Sequence, residues 1–377
     1  MWVRQFNPEN DDTWSGMPGV PDLVFLFATT RTLSEAAWIS KVHERFASST
    51  LVGCSSGTMV KGDTIDDEES VGVAIGFANT RLKIAKKRIS EGQGDKLNGA
   101  GLGSTLYDPE LSAIILLSDG LAGNASALID GLREAVGEDV AISGGLAGDG
   151  ARFERTVVLV DGQVTIDTVV AIGLYGPSLR ISHGSEGGWE PFGPTRRITS
   201  TRGTALLELD GAPALELYER YLGEEAAELP ASGLLFPLEI WDPKAPETKI
   251  VRTLVGIDRE AGALIFAGDI PSGWDARLMH GTVEGLVSGA SRAADAAVSD
   301  LGDVDGDTLC LLVSCVGRRL MMGQRAEEDV EEVASRLPAG TVISGFFSYG
   351  EVAPHHATRK TCLHNQTMTL TMLGEAA

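Results

Sequence analysis

The sequence predicts an α/β protein of two domains, in which mixed β-sheets covered by helices are built from a repeated β-α-β-Gly-turn unit. Three observations lead there. Short runs rich in Val, Ile and Leu recur, at the length and composition of strands buried on both faces. Amphipathic stretches lie between them, as covering helices require. Glycine clusters follow the second strand of each pair, where a chain must turn sharply or approach a neighbour closely.

The first copy runs Leu23–Thr29, a helix around Ser34–Phe46, then Thr50–Gly57. Thr32 and Glu35 have the spacing of a capping box at its helix start. The second runs Ala113–Gly120, a helix around Ala125–Val136, then Val140–Gly150. The third runs Thr308–Arg318, a helix around Ala326–Leu337, then Thr341–Glu351. Each continues into a later strand: Val71–Phe77, Val157–Val160 and Met368–Leu373. Val164–Gly173 and Leu179–His183 read as further strands, and Ala212–Leu222 as a helix. Glu224–Gly233 is acidic and loose, which places a domain boundary there, between residues 20–223 and 234–373. Beyond it, Ile250–Asp258 and Ala263–Ile270 suit a hairpin, and Trp274–Ser299 reads as one long Ala-rich helix. Gly99–Gly103 (G-A-G-L-G) follows no apolar strand and reads as a flexible loop.

Composition limits the classes of function. Hydrophobic residues make up 43% and charged residues 22%, a globular profile. With 31 Lys and Arg against 53 Asp and Glu, the formal net charge is −22. Such a surface repels phosphate backbones and anionic lipid heads, so neither nucleic acid nor membrane is expected as a partner. The best basic run, Lys83–Arg88, is short and suits a solvated strand or helix face. Met1–Gly16 lacks the layout of a signal peptide, and no apolar run approaches the ~20 residues of a membrane helix. The four cysteines show no C-x-x-C pairing, which suits free thiols in a reducing cytoplasm.

Seven short motifs then occur in order. They are G-C-S-S-G at Gly53–Gly57, G-G-L-A-G-D-G at Gly144–Gly150, G-W-E-P-F-G at Gly188–Gly193 and L-D-G-A-P-A at Leu209–Ala214. S-C-V-G-R at Ser314–Arg318, G-F-F-S-Y-G-E at Gly345–Glu351 and H-N-Q-T at His364–Thr367 follow. With these motifs the chain resembles the FIST family, its N-terminal domain followed by its C-terminal domain. The resemblance implies a sensory, signal-transducing module that binds a small ligand such as an amino acid, and in some relatives a haem that senses nitric oxide. Some members carry an attached output domain. None is recognisable in these 377 residues, so the signal is expected to leave through a protein partner.

Read as chemistry, the motifs offer alternatives. Gly53-Cys54-Ser55-Ser56-Gly57 fits G-x-S-x-G, yet the acidic stretch after it lacks the helix of a nucleophile elbow, so a tight turn lining a pocket is the better reading. Arg318 ends a strand, where open α/β sheets place ligands; its fork suits a carboxylate or a structural ion pair. Cys315 is a reactive thiol if Arg318 lowers its pKa, and otherwise a buried filler. Glu351, at the other strand mouth, suits the opposite end of a zwitterion or pairs with Arg318; Asp149 holds the equivalent place in the second copy. The six histidines show neither H-x-x-H nor H-E-x-x-H, so no metal site is expected. Haem needs one histidine, and His183 or His364 could supply it.

These readings converge on a non-enzymatic sensor with no cofactor. Its ligand is expected in a cavity between the domains, lined by Gly53, Cys54, Ser55, Gly57, Gly144, Asp149, Cys315, Arg318, Tyr349 and Glu351. A haem-binding nitric-oxide sensor is the alternative, and a Cys- or Ser-dependent enzyme stands behind it.

Overall fold

The computed structural model describes residues 1–35, 37–89 and 94–376. Its body is three six-stranded sheets with one strand order. The first is Trp2–Phe6, Val71–Gly76, Leu23–Ala28, Thr50–Ser55, Val158–Val160 and Gln163–Thr165. The second is Arg81–Arg88, Thr168–Tyr175, Leu111–Ser118, Ala141–Leu146, Glu351–Pro354 and Thr361–His364. The third is Leu179–Glu186, Met368–Glu375, Asp305–Cys315, Thr341–Ser348, Met59–Lys61 and Thr64–Asp66. In each, the two middle strands are parallel and joined by the expected helical crossover, while the other pairings are antiparallel. The three β-α-β copies read from the sequence are therefore one unit used three times.

The last two strands of every sheet come from a different unit. The hairpin after the first unit's glycine turn pairs with the third sheet, at Met59↔Phe346. The second unit's hairpin pairs with the first sheet, at Val158↔Cys54, and the third unit's with the second sheet, at Glu351↔Gly145. The exchange is cyclic and gives the body approximate threefold symmetry.

Side-chain alternation explains the layers. Phe25, Phe27, Ile115, Leu117, Leu311, Val313 and Phe346 point into one shared core between the sheets. The Phe27 and Phe346 rings stack there at 4.9 Å. The intervening Val24 and Leu26, Ile114 and Leu116, and Cys310 and Leu312 point outward, beneath each unit's own helices. Strands apolar on both faces are what such a body requires.

One glycine recurs at the same register in every unit. Gly53, Gly144 and Gly345 lie opposite Leu26, Leu116 and Leu312 on the parallel partner. A Cβ there would stand 1.9, 2.0 and 1.7 Å from those leucines' carbonyl oxygens. The glycines permit contact between the paired backbones that no other residue allows.

An eight-stranded sheet with its own core is inserted into the third unit, between Leu179–Glu186 and the helix Val283–Leu301. Glu224–Gly233 falls inside this insertion as two short 3-10 turns, and strands from both sides of it, Glu190–Arg202 and Asp275–His280, pair with each other.

Three local expectations change. Asp275–His280 is a strand with inward Ala276 and Leu278, not the start of the long helix, because its apolar residues alternate. Gly99–Gly103 is part of the helix Asp95–Leu106, not a flexible loop. Its glycines let that helix touch Ala125–Val136, since a Cβ at Gly99 would lie 1.9 Å from the Leu128 oxygen. Thr29 rather than Thr32 caps the first helix, accepting the Thr32 N–H at 3.0 Å, and Glu35 lies at its C-terminal end. After Gly57 comes a hairpin, so the turn is no nucleophile elbow, as expected. Lys83–Arg88 is a largely solvated edge strand, as expected.

Gly144→Ala should be the most damaging of the three equivalent glycine substitutions, because a φ of +131° adds backbone strain to a Cβ only 2.0 Å from the Leu116 oxygen. Urea unfolding should show a loss of at least about 1–3 kcal/mol, the range for forced overpacking. Gly340→Ala, which meets nothing within 4 Å but has φ +88°, serves as the control for strain alone.

Candidate functional site

The three glycine turns bond to one another and open in pairs onto separate cavities, the first and second through Gly57 and Asp149, the second and third through Leu146 and Tyr349. Gly148 N–H donates to the Ser55 oxygen at 2.8 Å, Tyr349 N–H to the Leu146 oxygen at 3.2 Å, and Phe347 N–H to the Thr58 oxygen at 3.0 Å. Ser55 Oγ donates to the Gly148 oxygen at 2.9 Å and accepts the Val157 N–H at 3.0 Å, so its hydroxyl is committed to the turn. Cys54 is fully buried, and burial pushes its thiol well up.

Arg318 is a structural residue. Its side chain is fully buried and pairs with Asp329, through Nη2 at 2.8 Å and Nε at 3.1 Å. It also donates to the Leu286 oxygen at 2.9 Å and to the Gly187 oxygen. Its fork is therefore occupied, which corrects the expectation that Arg318 and Glu351 share a ligand cavity. Arg318 ties together two helices of the third unit and the strand end before the insertion. Cys315 Sγ caps its helix by accepting the Gly317 N–H at 3.4 Å. Burial, reinforced by Glu351, raises that thiol, so it is no thiolate nucleophile at neutral pH.

Asp149 accepts the N–H groups of Phe153, Glu154 and Arg155 at 2.9, 3.0 and 3.0 Å and the Tyr349 hydroxyl. Burial acts to raise its carboxyl, but these donors outweigh it and hold the group below its ordinary value. Tyr349 stacks on Phe153 with ring centroids 4.4 Å apart. Asp149 and Gly57 line a polar cavity of about 490 Å³ with Arg31, Arg152 and Arg155, and Tyr349 lines another of about 240 Å³ beside Phe266. Gly53, Gly144, Cys315, Arg318 and Glu351 line neither.

A cleft of about 350 Å³ lies at the seam between the threefold body and the inserted sheet. One wall is the segment from Ser185 to Glu190 with Gly285, Ser288 and Arg292 of the adjoining helix. The facing wall is Glu239, Lys249, Ile250, Val251 and Met279 of the insertion. The floor is the third unit's exchanged hairpin and the strap after it, with His355, His356, His364 and Thr367.

Local chemistry fixes these groups. Trp189 Nε1 donates to the Gln366 oxygen at 2.8 Å, joining the G-W-E-P-F-G and H-N-Q-T motifs. Gln366 has a left-handed backbone, φ 64°, and its amide lies against Gly317, where a Cβ would be 2.4 Å away. His355 Nδ1 accepts the Ala357 and Thr358 N–H groups at 3.2 and 3.3 Å, leaving Nε2–H to donate to the Lys249 oxygen at 2.8 Å. It is thus neutral, and burial lowers its pKa. His364 Nε2 faces the Ala353 oxygen at 3.1 Å and Cys362 Sγ at 3.4 Å. Burial pushes His364 down to about 3 and Cys362 up to about 11, so this is a neutral pair rather than a thiolate–imidazolium dyad. His183, lowered to about 4 by burial, lines none of the three cavities.

Charge is mixed across the cleft. Glu239 is held by Arg277 at 2.7 Å and approached by Lys249 at 3.8 Å, while Glu186 and Arg292 stand 3.9 Å apart. Among the described residues no group of three or more His, Cys, Asp or Glu side chains is arranged to hold a metal ion. Nor is any helix among them long and apolar enough to cross a membrane. All four cysteines are free.

Sequence reasoning named His364 here but missed Trp189, His355, His356, Arg292 and Thr367. The signal was present in the G-W-E-P-F-G and H-N-Q-T motifs, which served as family markers rather than as parts of one site.

Glu351 lies behind the cleft floor. It is fully buried, and burial raises its carboxyl to about 7, against hydrogen bonds from Ser348 and Thr367 and the Arg318 charge. A folded-state pKa above the unfolded value means the native state holds the extra proton, so stability falls as pH rises from about 4.5 to about 7. Glu351→Gln should remove that decline, and the variant's melting temperature relative to the parent should be higher at pH 8 than at pH 5. Arg318→Ala, which strands Asp329, should cost about 3–5 kcal/mol in chemical unfolding.

Residues 22–212 match the FIST N domain and residues 214–354 the FIST C domain. No curated protein matches the chain. Among solved structures, a chorismatase is similar at 11% identity over 100% of this chain and 98% of that one, with a TM-score of 0.38. A cyanuric acid hydrolase from A. caulinodans is similar at 9% identity over 100% and 99%, with a TM-score of 0.39. Neither likeness bears on chemistry. The two domain matches run in order over most of the sequence, and the chain belongs to the FIST family of sensory, small-ligand-binding domains.

Proposed function

We propose that this protein senses a small zwitterionic ligand of amino-acid type, bound in the cleft between the threefold body and the inserted sheet. The observation that carries the reading is the lining: carboxylates and cations share a space of about 350 Å³ with the apolar faces of Trp189 and Met279. Arg292, half-exposed and only loosely paired with Glu186, takes the ligand carboxylate. Glu186 then takes the amine, and Trp189 and Met279 accept a short side chain. The cleft spans two parts of the chain, so a ligand there draws the inserted sheet toward the body, and a protein partner reads that closure. The net charge of −22 argues against nucleic acid as that partner. Binding rather than catalysis is favoured by the commitments of Ser55, Cys54 and Cys315 to the fold.

The test is a thermal-shift screen of amino acids and related zwitterions on the full chain. A true ligand at 100 times its Kd should add about 2.7 kcal/mol of stability. Arg292→Ala and Glu186→Gln should abolish that gain while leaving the unliganded melt within about 0.5 kcal/mol, as for other exposed pairs. Retention of the gain in both variants would remove the cleft from consideration. A Soret band in iron-supplied protein, lost in His364→Ala, would replace this reading with a haem sensor.

A further inference from the structure

Glu351 breaks the threefold pattern. It opens an exchanged hairpin opposite Gly145, as Met59 does opposite Phe346 and Val158 opposite Cys54. All three are fully buried, and the other two are apolar. A carboxyl in an otherwise apolar position costs stability, and a function would explain its presence. The groups facing it are Arg318 and Cys315 from the strand end and helix packed against it, and His364 across the hairpin. Arg318 is already neutralised by Asp329, while Cys315 and His364 are uncharged at neutral pH. Glu351 therefore has no cation of its own.

What it has is a line of hydroxyls leading to the cleft. Ser348 Oγ donates to Oε1 at 2.7 Å. Thr367 donates to Oε2 through N–H at 3.1 Å and Oγ1 at 2.8 Å. Thr367 Oγ1 lies 3.2 Å from Thr369 Oγ1, which lies 3.2 Å from Ser185 Oγ. Thr367 and Ser185 line the cleft, and Thr369 is buried between them.

Each hydroxyl has one hydrogen to give, so the line has a direction. With Glu351 ionised, Thr367 donates to it, Thr369 to Thr367 and Ser185 to Thr369. Ser185 then shows the cleft only oxygen lone pairs. With Glu351 protonated, its O–H donates to Thr367 and every hydroxyl turns, so that Ser185 points a hydrogen into the cleft. We infer that Glu351, acting through Thr367, Thr369 and Ser185, decides whether the cleft wall offers an acceptor to a ligand ammonium or a donor to a ligand carboxylate. Glu351 is thus a positioning residue that makes ligand choice depend on pH. Burial places its titration near 7, within the range over which such a choice matters. The inference rests on the cleft being the ligand site.

The experiment uses propylammonium and propionate as probes on the full chain. The protonated carboxyl of Glu351 is followed by its infrared C=O band, identified by its loss in Glu351→Gln, while NMR of the His356 and Trp189 signals reports binding in the cleft. Propylammonium should lower the pH midpoint of the band, because it favours the ionised state, and propionate should raise it. Both shifts should vanish in Thr369→Val, which cuts the line but keeps Glu351. If that variant fails to fold, Ser185→Ala cuts it at the cleft end. Probes that bind without moving the midpoint, or shifts that survive the cut, would overturn the relay and leave the cleft standing. Absence of both probes from the cleft would overturn the site and the relay with it.

Discussion

No sheet of the body is complete within its own unit. Each depends on a two-stranded hairpin from a neighbour, passed round in a closed cycle. A lone unit would expose the edge of Thr50–Ser55, Ala141–Leu146 or Thr341–Ser348, and the inner faces of its strands would find no opposing sheet. The shared core, the interlocked glycine turns and the close approach at Gly53, Gly144 and Gly345 all follow from that closure. So does the commitment of the conspicuous motifs. Three turns that must hold one another at the centre of the body have their polar groups spent on each other, and little is left for a ligand.

The proposed ligand cleft instead lies where the threefold pattern is broken. The third unit alone carries an inserted sheet, an Arg318–Asp329 pair beneath it and a carboxyl among apolar equivalents. Buried polar groups are costly unless partnered, and these are partnered in series. Arg318 anchors the helices and strand end that frame the cleft, and the hydroxyls behind the floor link it to Glu351. The Arg318–Asp329 pair and Glu351 all belong to that third unit.

How much of this the sequence discloses depends on distance along the chain. The parallel pairs were legible because each is an apolar run, a helix and a second run within some forty residues. The exchanged hairpins were not. Met59–Lys61 is three residues long, and its partner strand begins at Thr341. Asp275–His280 was lost because alternating Ala276 and Leu278 sit beside an Ala-rich helix. Glycines in Asp95–Leu106 mimicked a loop because their reason, contact with a second helix, lies outside the local pattern. The Arg318–Asp329 pair was half visible: the arginine invited a partner, but nothing in the spacing selected Asp329 over Glu351. The cleft was hardest, since it gathers segments from Ser185 to Thr367 that meet only once the insertion folds back.

That insertion leaves and rejoins the body at one neck. A Cβ at Gly188 would come within 2.0 Å of the Gly285 oxygen, so the outgoing and returning chains are in backbone contact. A lobe hung on a single neck can be exchanged without disturbing the path of the chain that carries it. The body supplies the floor of the cleft and the lobe supplies the facing wall, so in the proposed reading the two sides of recognition come from different parts of the chain. Variation in the lobe would then retune what is recognised while the threefold body, with its buried carboxyl and hydroxyl line, stayed as it is.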